Sequence, residues 1–405
     1  MVGDVSYKDY KKKSDIHGTV LYPAVMVAPV QKLIIDDVIK KTTINSVFDP
    51  FHGSGTALYE CLEITDGINL VGCDINPLAN LITKVKLSGV SDKIFEDIDN
   101  LKIFLRENQE VGEYSFSNIH KWFRDDIANE LRKIRKAVSL VECEQNRLYF
   151  WCMLSDIVRR YSNTRSSTYK LHTKTSDKIG KMINCVIEDY LLSITNNANK
   201  FLKSTSSFEL FKCDTLNKIK EFDNNQFDIS ITSPPYGDNA TTVPYGQFSM
   251  LSLYWIDHKD LELDGWEFNS YSTIDSNSLG GSAKQIDFDD FEKALIQPFL
   301  DQISSLKKNK KVLRFFNDYF IFLKELCRVT KKYIVMTLGN RTVDGININL
   351  TDITVLYMEQ YNFKNTQTIE REILNKRTPM KVSRVDNRPV YSMNREYIII
   401  HKKVI

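Results

Sequence analysis

Two stretches of the chain repeat one pattern, and that pattern limits the fold more than anything else in the sequence. In INSVFDPFHGSGTALYECLEI (44–64) a β-rich run ends at Asp49-Pro50, crosses a glycine loop and enters a helix. In GINLVGCDINPLANLITKVKL (67–87) an apolar run ends at Asp74 and again enters a helix. Strand–helix alternation requires a parallel sheet covered by helices on both faces. The rhythm breaks over 90–205, where IHKWFRDDIANELRKIRKAVSLV and NRLYFWCMLSDIVRRYSN have helical periodicity and mark a mostly helical insertion. It resumes with SFELFKCDTLNKI, a strand ending at Asp214, and QFDISITSPPY, a strand ending in two prolines. A helix at 316–329 and strands at 332–341 and 395–403 follow. The polar stretch 257–311, punctuated by SNSLGGSA, reads as loop with short helices.

With 405 residues the chain has room for one large domain with insertions, or for two domains. Nineteen tyrosines and twenty-two phenylalanines supply a substantial core. The formal net charge is only +2, so any basic function must come from local clustering. Seven cysteines form no CxxC pair and read as reduced thiols of a cytoplasmic protein, not as a disulfide or metal framework. No apolar run reaches membrane-spanning length and the N-terminus lacks a signal-type apolar region, so the expected place is the cytoplasm, at the nucleoid, with no membrane partner.

Chemistry concentrates at strand ends. Gly53-Ser54-Gly55 lets backbone approach a ligand closely, and the helix behind it presents open N–H groups. The loop matches neither the phosphate-cradling GK[ST] pattern nor GxGxxG. Asp74, some twenty residues on, can accept from both hydroxyls of a ribose, or cap the next helix. Asp214 can accept from an adenine amino group, or cap the helix over 216–222. Ser233-Pro234-Pro235-Tyr236 is a stiff hook: the prolines lock φ, donate nothing and push their predecessors to extended geometry.

Taken in order, DPFHGSGT, GCDIN, FKCD and TSPPY resemble the amino-methyltransferase family, which modifies exocyclic amines of DNA bases with S-adenosyl-L-methionine. The resemblance covers 17–90 and 207–405. It implies a Rossmann-like class I methyltransferase fold: a mostly parallel seven-stranded α/β sheet, helices on both faces, and here a helical insertion. The catalytic domain would be 1–89 and 206–405, with the cofactor half at 17–89 and the hook region at 228–250. It implies that Asp49, Pro50, Phe51, Gly53, Ser54, Gly55, Thr56, Asp74, Ile75 and Asp214 hold the cofactor. Tyr22 and Pro23, within HGTVLYPAVMVAPVQKLI (17–34), would lie beside its methionine part. Ser233, Pro234, Pro235 and Tyr236 would be catalytic, the first two accepting the amine hydrogens and Tyr236 stacking on the base. His52 departs from the family, where this position is usually small or apolar, and the insertion between Asp74 and Asp214 fits no simple version of its motif order.

In that family serine in the first hook position tends to accompany cytosine N4, and aspartate adenine N6. Methylation of a cytosine ring carbon is disfavoured because no Pro-Cys dipeptide occurs. The expectation is a cytosine-N4 enzyme acting on double-stranded DNA, with a cognate restriction endonuclease as a possible partner and the oligomeric state open. The alternatives are adenine N6, guanine N2 of RNA, and a non-catalytic DNA-binding protein. Basic runs at 159–181, 307–314 and 375–388 are candidate DNA faces, with Arg159, Arg160, Arg165, Lys170, Lys376 and Arg377 as ligands. Tyr245 and Gln247, in the loop expected after the hook, are candidates to touch the base or its neighbours. Target recognition is expected in 90–205 or 257–311.

Overall fold

The computed structural model describes residues 5–404 except 6, 8, 66, 108–111, 202–205, 238–242, 282–285, 374–380, 386–387 and 392–394, and only the backbone of the remainder of 381–391. Its centre is a sheet of seven strands. These are β1 (Ser46–Asp49), β2 (Asn69–Asp74), β3 (Ser207–Lys212), β4 (Phe227–Thr232), β5 (Thr330–Leu338), β6 (Phe363–Glu372) and β7 (Arg395–Lys403). The spatial order is β3-β2-β1-β4-β5-β7-β6. Every pairing is parallel except the two made by β7, which runs antiparallel to both neighbours. This is the Rossmann-like class I methyltransferase topology.

The strand sequences explain the layering. Every residue of β4 is buried, as a central strand covered on both faces requires. Val47, Ile229, Ile231, Val335, Ile398 and Ile400 enter one core, and Phe48, Ile334, Met336 and Ile399 the other. The first face is covered by α1 (Ala28–Lys41), α2 (Thr56–Ile64) and α3 (Pro77–Ser88). Between α3 and β3 come α4 (Ile94–Glu107), α5 (Asp125–Ser139), α6 (Glu144–Tyr161) and α7 (Val186–Asn197). Trp122, Tyr149, Trp151 and Tyr190 of this stretch join the same core as the sheet, so the helical stretch shares the sheet's apolar interior.

After the hook comes α8 (Tyr245–Trp255), followed by α9 (Asp290–Leu300), α10 (Leu306–Val329) and α11 (Leu350–Glu359). Here the sequence reading needs correction. The segment after the hook, expected to be a loop, is helical from Tyr245, with Phe248, Ser249, Met250 and Leu251 buried. The polar stretch 257–311 is loop with short helices, as expected, among them the eleven-residue α9 started by a reciprocal Asp289–Glu292 capping box. The helix read at 316–329 begins ten residues earlier, at Leu306, after a Ser305 cap. Its basic run KKNKKVLR is the solvated side of a helix that buries Val312, Phe315 and Phe316.

The sheet order reverses direction between β1 and β4. Ligands of open α/β sheets sit in the crevice outside such a switch point. Val47 pairs with Ile229 and Phe48 with Ser230. The tips of these two neighbouring strands therefore carry the glycine loop and the proline hook side by side.

Candidate active site

The glycine loop is shaped by what lies beneath it. Gly53 and Gly55 have φ of +53° and +70°, the left-handed region that disfavours side chains. A Cβ on Gly55 would also stand 2.6 Å from the Thr83 methyl of α3. Asp74 clamps the loop: its Oδ2 accepts from the Gly53 N–H at 2.9 Å and its Oδ1 from the Asn76 N–H at 2.8 Å. Each oxygen keeps lone-pair capacity for a further donor. Asn76, not Asp74, caps α3, accepting from the Leu78 N–H at 3.1 Å. His52 fills the space under the loop. Its Nδ1 lies 3.0 Å from the Gly53 carbonyl and its Nε2 3.2 Å from Asn80 Oδ1. The departure from a small residue thus has a packing role, wedged against Gly72 of β2.

Behind the loop, buried Lys86 donates to the Ser54 carbonyl at 2.6 Å and stands 3.3 Å from His17, whose Nε2 is 2.8 Å from Glu60. Burial holds the Lys86 ammonium down to about 7 and pushes Glu60 up to about 7.

Loop and hook open into one cavity, about 830 Å³ of empty space when the open solvent at its mouth is included. Of the residues expected at the cofactor, Tyr22, Pro23, Phe51, Gly53, Ser54, Thr56, Asp74, Ile75 and Asp214 line it. Asp49, Pro50 and Gly55 do not. Asp49 is fully buried and turns the chain by accepting from the Phe51 N–H at 3.1 Å. Burial pushes its carboxyl up to about 7. The Pro50 carbonyl accepts from Thr215 Oγ1, and Gly55 is the left-handed entry to α2. Asp214 faces the cavity and caps the short helix at Thr215 through the Leu216 N–H.

At the hook, Ser233 and Pro235 line the cavity and Pro234 is buried beside them. The Tyr236 ring is not part of the lining and packs with the second core. Its hydroxyl lies 3.2 Å from Ser233 Oγ and donates to the Thr337 carbonyl at 3.3 Å. Arg341 holds the exit of the hook through the Tyr236 and Gly237 carbonyls.

Ile274, Asp275, Asn277, Ser278 and Leu279, with Asn76, add a stretch of wall that the motifs did not indicate, and Tyr245, a candidate to touch the base, also lines the cavity. Asp275 accepts from the Gly246 and Gln247 N–H groups at 2.8 and 3.0 Å and so caps α8 from a distant segment. Asn76 donates to Tyr22 at 3.1 Å and to Ser249 at 2.8 Å, joining the N-terminal segment, β2 and α8.

No family model matches the chain. It is 31% identical over 418 aligned positions to the type II methyltransferase M.MvaI of Kocuria varians, an alignment spanning 95% of this chain and 90% of that protein. The chain belongs to the type II DNA methyltransferases. A second type II methyltransferase, M.MjaII of Methanocaldococcus jannaschii, is 54% identical over 41 residues, 10% of this chain and 7% of its own. Among solved structures, the rRNA methyltransferase AviRa of Streptomyces viridochromogenes aligns over 96% of this chain and 93% of its own at TM-score 0.32 and 9% identity, too distant to bear on the site.

The methyl donor of this methyltransferase is S-adenosyl-L-methionine, and the cavity fits it. Asp74, Asp214 and Asp275 all face the space. Burial pushes each carboxyl up, Asp275 to about 6, so a cationic occupant would ease their burial. Phe51 and Ile75 give flat apolar walls, and Thr56 Oγ1, buried at the start of α2, has no hydrogen-bond partner among the described residues.

The DNA candidates of the methyltransferase separate. Arg159 is only 9% exposed, its guanidinium donating to the Thr168 carbonyl at 2.8 Å and covering the Phe248 ring. It is an internal brace and not a phosphate ligand, because α8 and the 164–173 loop close over it. Arg160 is on the surface, paired with Asp156 and Asp189. Arg165 is exposed and Lys170 half-buried. Tyr245 lines the cavity, and Gln247 Oε1 accepts from the Leu171 N–H at 3.4 Å. Lys376 and Arg377 lie outside the described residues. Among the described residues no helix is long and apolar enough to cross a membrane.

Proposed function

We propose that this DNA methyltransferase modifies the N4 amine of a cytosine turned out of duplex DNA, within a type II restriction–modification system whose partner is a nuclease cutting the same unmodified sequence. The observation that carries this reading is the polarity of Ser233. The Tyr236 hydroxyl spends its one hydrogen on the Thr337 carbonyl, so the phenol oxygen is available to take the Ser233 hydrogen. Ser233 Oγ is then left as an acceptor toward the cavity.

An exocyclic amine is a poor nucleophile because its lone pair is delocalised into the ring. Ser233 Oγ and the Pro234 carbonyl accept its two hydrogens and localise that pair. The bound cofactor supplies an electrophilic methyl on a sulfonium. The rigid prolines would fix the position of the amine, and such positioning contributes much of the rate. Placed acceptors stabilise the positive charge that develops on nitrogen. Extruding the base costs a few kcal/mol, within reach of duplex contacts made elsewhere. A neutral serine supports cytosine over adenine, since in the resembled family serine tends to accompany cytosine N4 and aspartate adenine N6.

The test is incubation with isotopically labelled cofactor and duplex DNA, followed by nucleoside mass spectrometry. N4-methylcytosine is expected. N6-methyladenine would replace the base assignment, and unmodified nucleosides would overturn the reading of the cavity.

A further inference from the structure

We infer that the loop 164–173 is the surface that grips the duplex backbone beside the extruded base. The inference rests on the reading of the cavity as the place of that base. The sequence offered three basic runs, and the structure separates them. The run at 307–314 lies on α10, and its Lys308 is paired with Asp344. The run at 375–388 falls mostly outside the described residues. The run that includes 164–173 is built onto the active site.

The loop is closed by a short antiparallel bridge between Thr164 and Thr173. The Arg165 N–H donates to the His172 carbonyl at 2.8 Å, and the Lys174 N–H to the Asn163 carbonyl at 2.7 Å. Three contacts fix it against α8. The Tyr169 ring meets Phe248 edge-on at 5.8 Å, the Leu171 N–H reaches Gln247, and buried Arg159 ties the Thr168 carbonyl over the same Phe248. Tyr245, which opens α8, lines the cavity two residues before Gln247 and three before Phe248. The loop is therefore held within one helical turn of the cavity wall.

Its outward side has the composition that binds phosphate. Arg165, Ser166, Ser167, His172 and Thr173 are exposed, and Lys170 is half-exposed. Neither Arg165 nor Lys170 is in an ion pair with a described residue, whereas Arg160 is neutralised twice. Asp177 is the one acid between 159 and 181. Cations and hydroxyls on a rigid mount match the sugar–phosphate backbone, which positions a protein without reading sequence.

The test uses the full chain and fluorescein-labelled duplexes, one modified by the enzyme and one unrelated, with binding followed by anisotropy over a range of salt. For Arg165→Gln/Lys170→Gln the slope of log affinity against log salt should fall by about two, roughly 0.9 for each phosphate contact removed. The loss should be equal for both duplexes, with calorimetric cofactor affinity unchanged. Lys40→Gln/Lys41→Gln on α1, the same loss of two charges elsewhere, should leave the slope intact. An unaltered slope in the loop variant, an equal drop in the α1 variant, or a loss confined to one duplex would each overturn the loop's role. Wild-type protein that methylates no duplex would overturn the reading of the cavity instead.

Discussion

At Tyr236 the hydroxyl, not the ring, reaches Ser233 of the hook. Removing it leaves the ring's packing in place and deletes the acceptor for the Ser233 hydrogen. One net hydrogen bond contributes about 1 kcal/mol, so Tyr236→Phe should lower the methyl-transfer rate about fivefold to tenfold. Cofactor affinity by calorimetry should be unchanged. Ser233→Ala should cost more, and the double variant should be no slower than Ser233→Ala alone. Additive losses in single-turnover assays would show that the two hydroxyls act separately. Ser233, Asp74, Asp214 and the glycine loop were legible in the sequence because each stands at a strand end with a fixed offset to its helix. Asn76, His52 and Asp275 were not, because their partners lie tens of residues away: Tyr22 and Ser249, Thr83, and Gly246. Stacking was expected of the Tyr236 ring, and in this structure the half-buried ring packs against the second core.

The loop–helix element β1–α2 depends on a glycine for two separate reasons. Gly55 is left-handed, and a Cβ on it would run into Thr83. An L residue in that conformation costs about 1–2 kcal/mol before any clash is counted. Gly55→Ala should therefore lower the thermal midpoint and weaken cofactor binding together, since α2 and the loop must shift away from α3. Adding Thr83→Gly should recover part of both losses by removing the side chain in the way. Failure of that second change to recover any stability, read by thermal melts, would show that backbone conformation alone sets the cost. Strand–helix alternation was readable because both central units keep their caps and turns within a few residues. α8 was read as loop because its cap comes from Asp275, some thirty residues away. The start of α10 was hidden because Lys307, Lys308, Asn309, Lys310 and Lys311 put no apolar residue on its buried side before Val312.

The molecule as a whole keeps His401 neutral. It lies on β7 between two strands, fully buried, and burial alone lowers its proton affinity to about 4. The unfolded chain takes up this proton below about pH 6.5, the folded chain only near the lower value. The contribution to stability is thus complete above pH 6.5 and is lost as the pH falls toward 4. Between pH 7.5 and 4.5 the loss should be on the order of 2–3 kcal/mol. Urea midpoints at the two pH values should differ less for His401→Leu than for the wild type; equal differences would mean the acid sensitivity arises elsewhere. The interior that surrounds Trp122 and Trp151 is the same one that backs β1 and β4. Swapping 90–205 wholesale for the corresponding piece of another enzyme would tear that interior open. The helical stretch is therefore a structural part of the catalytic body and not a detachable cassette.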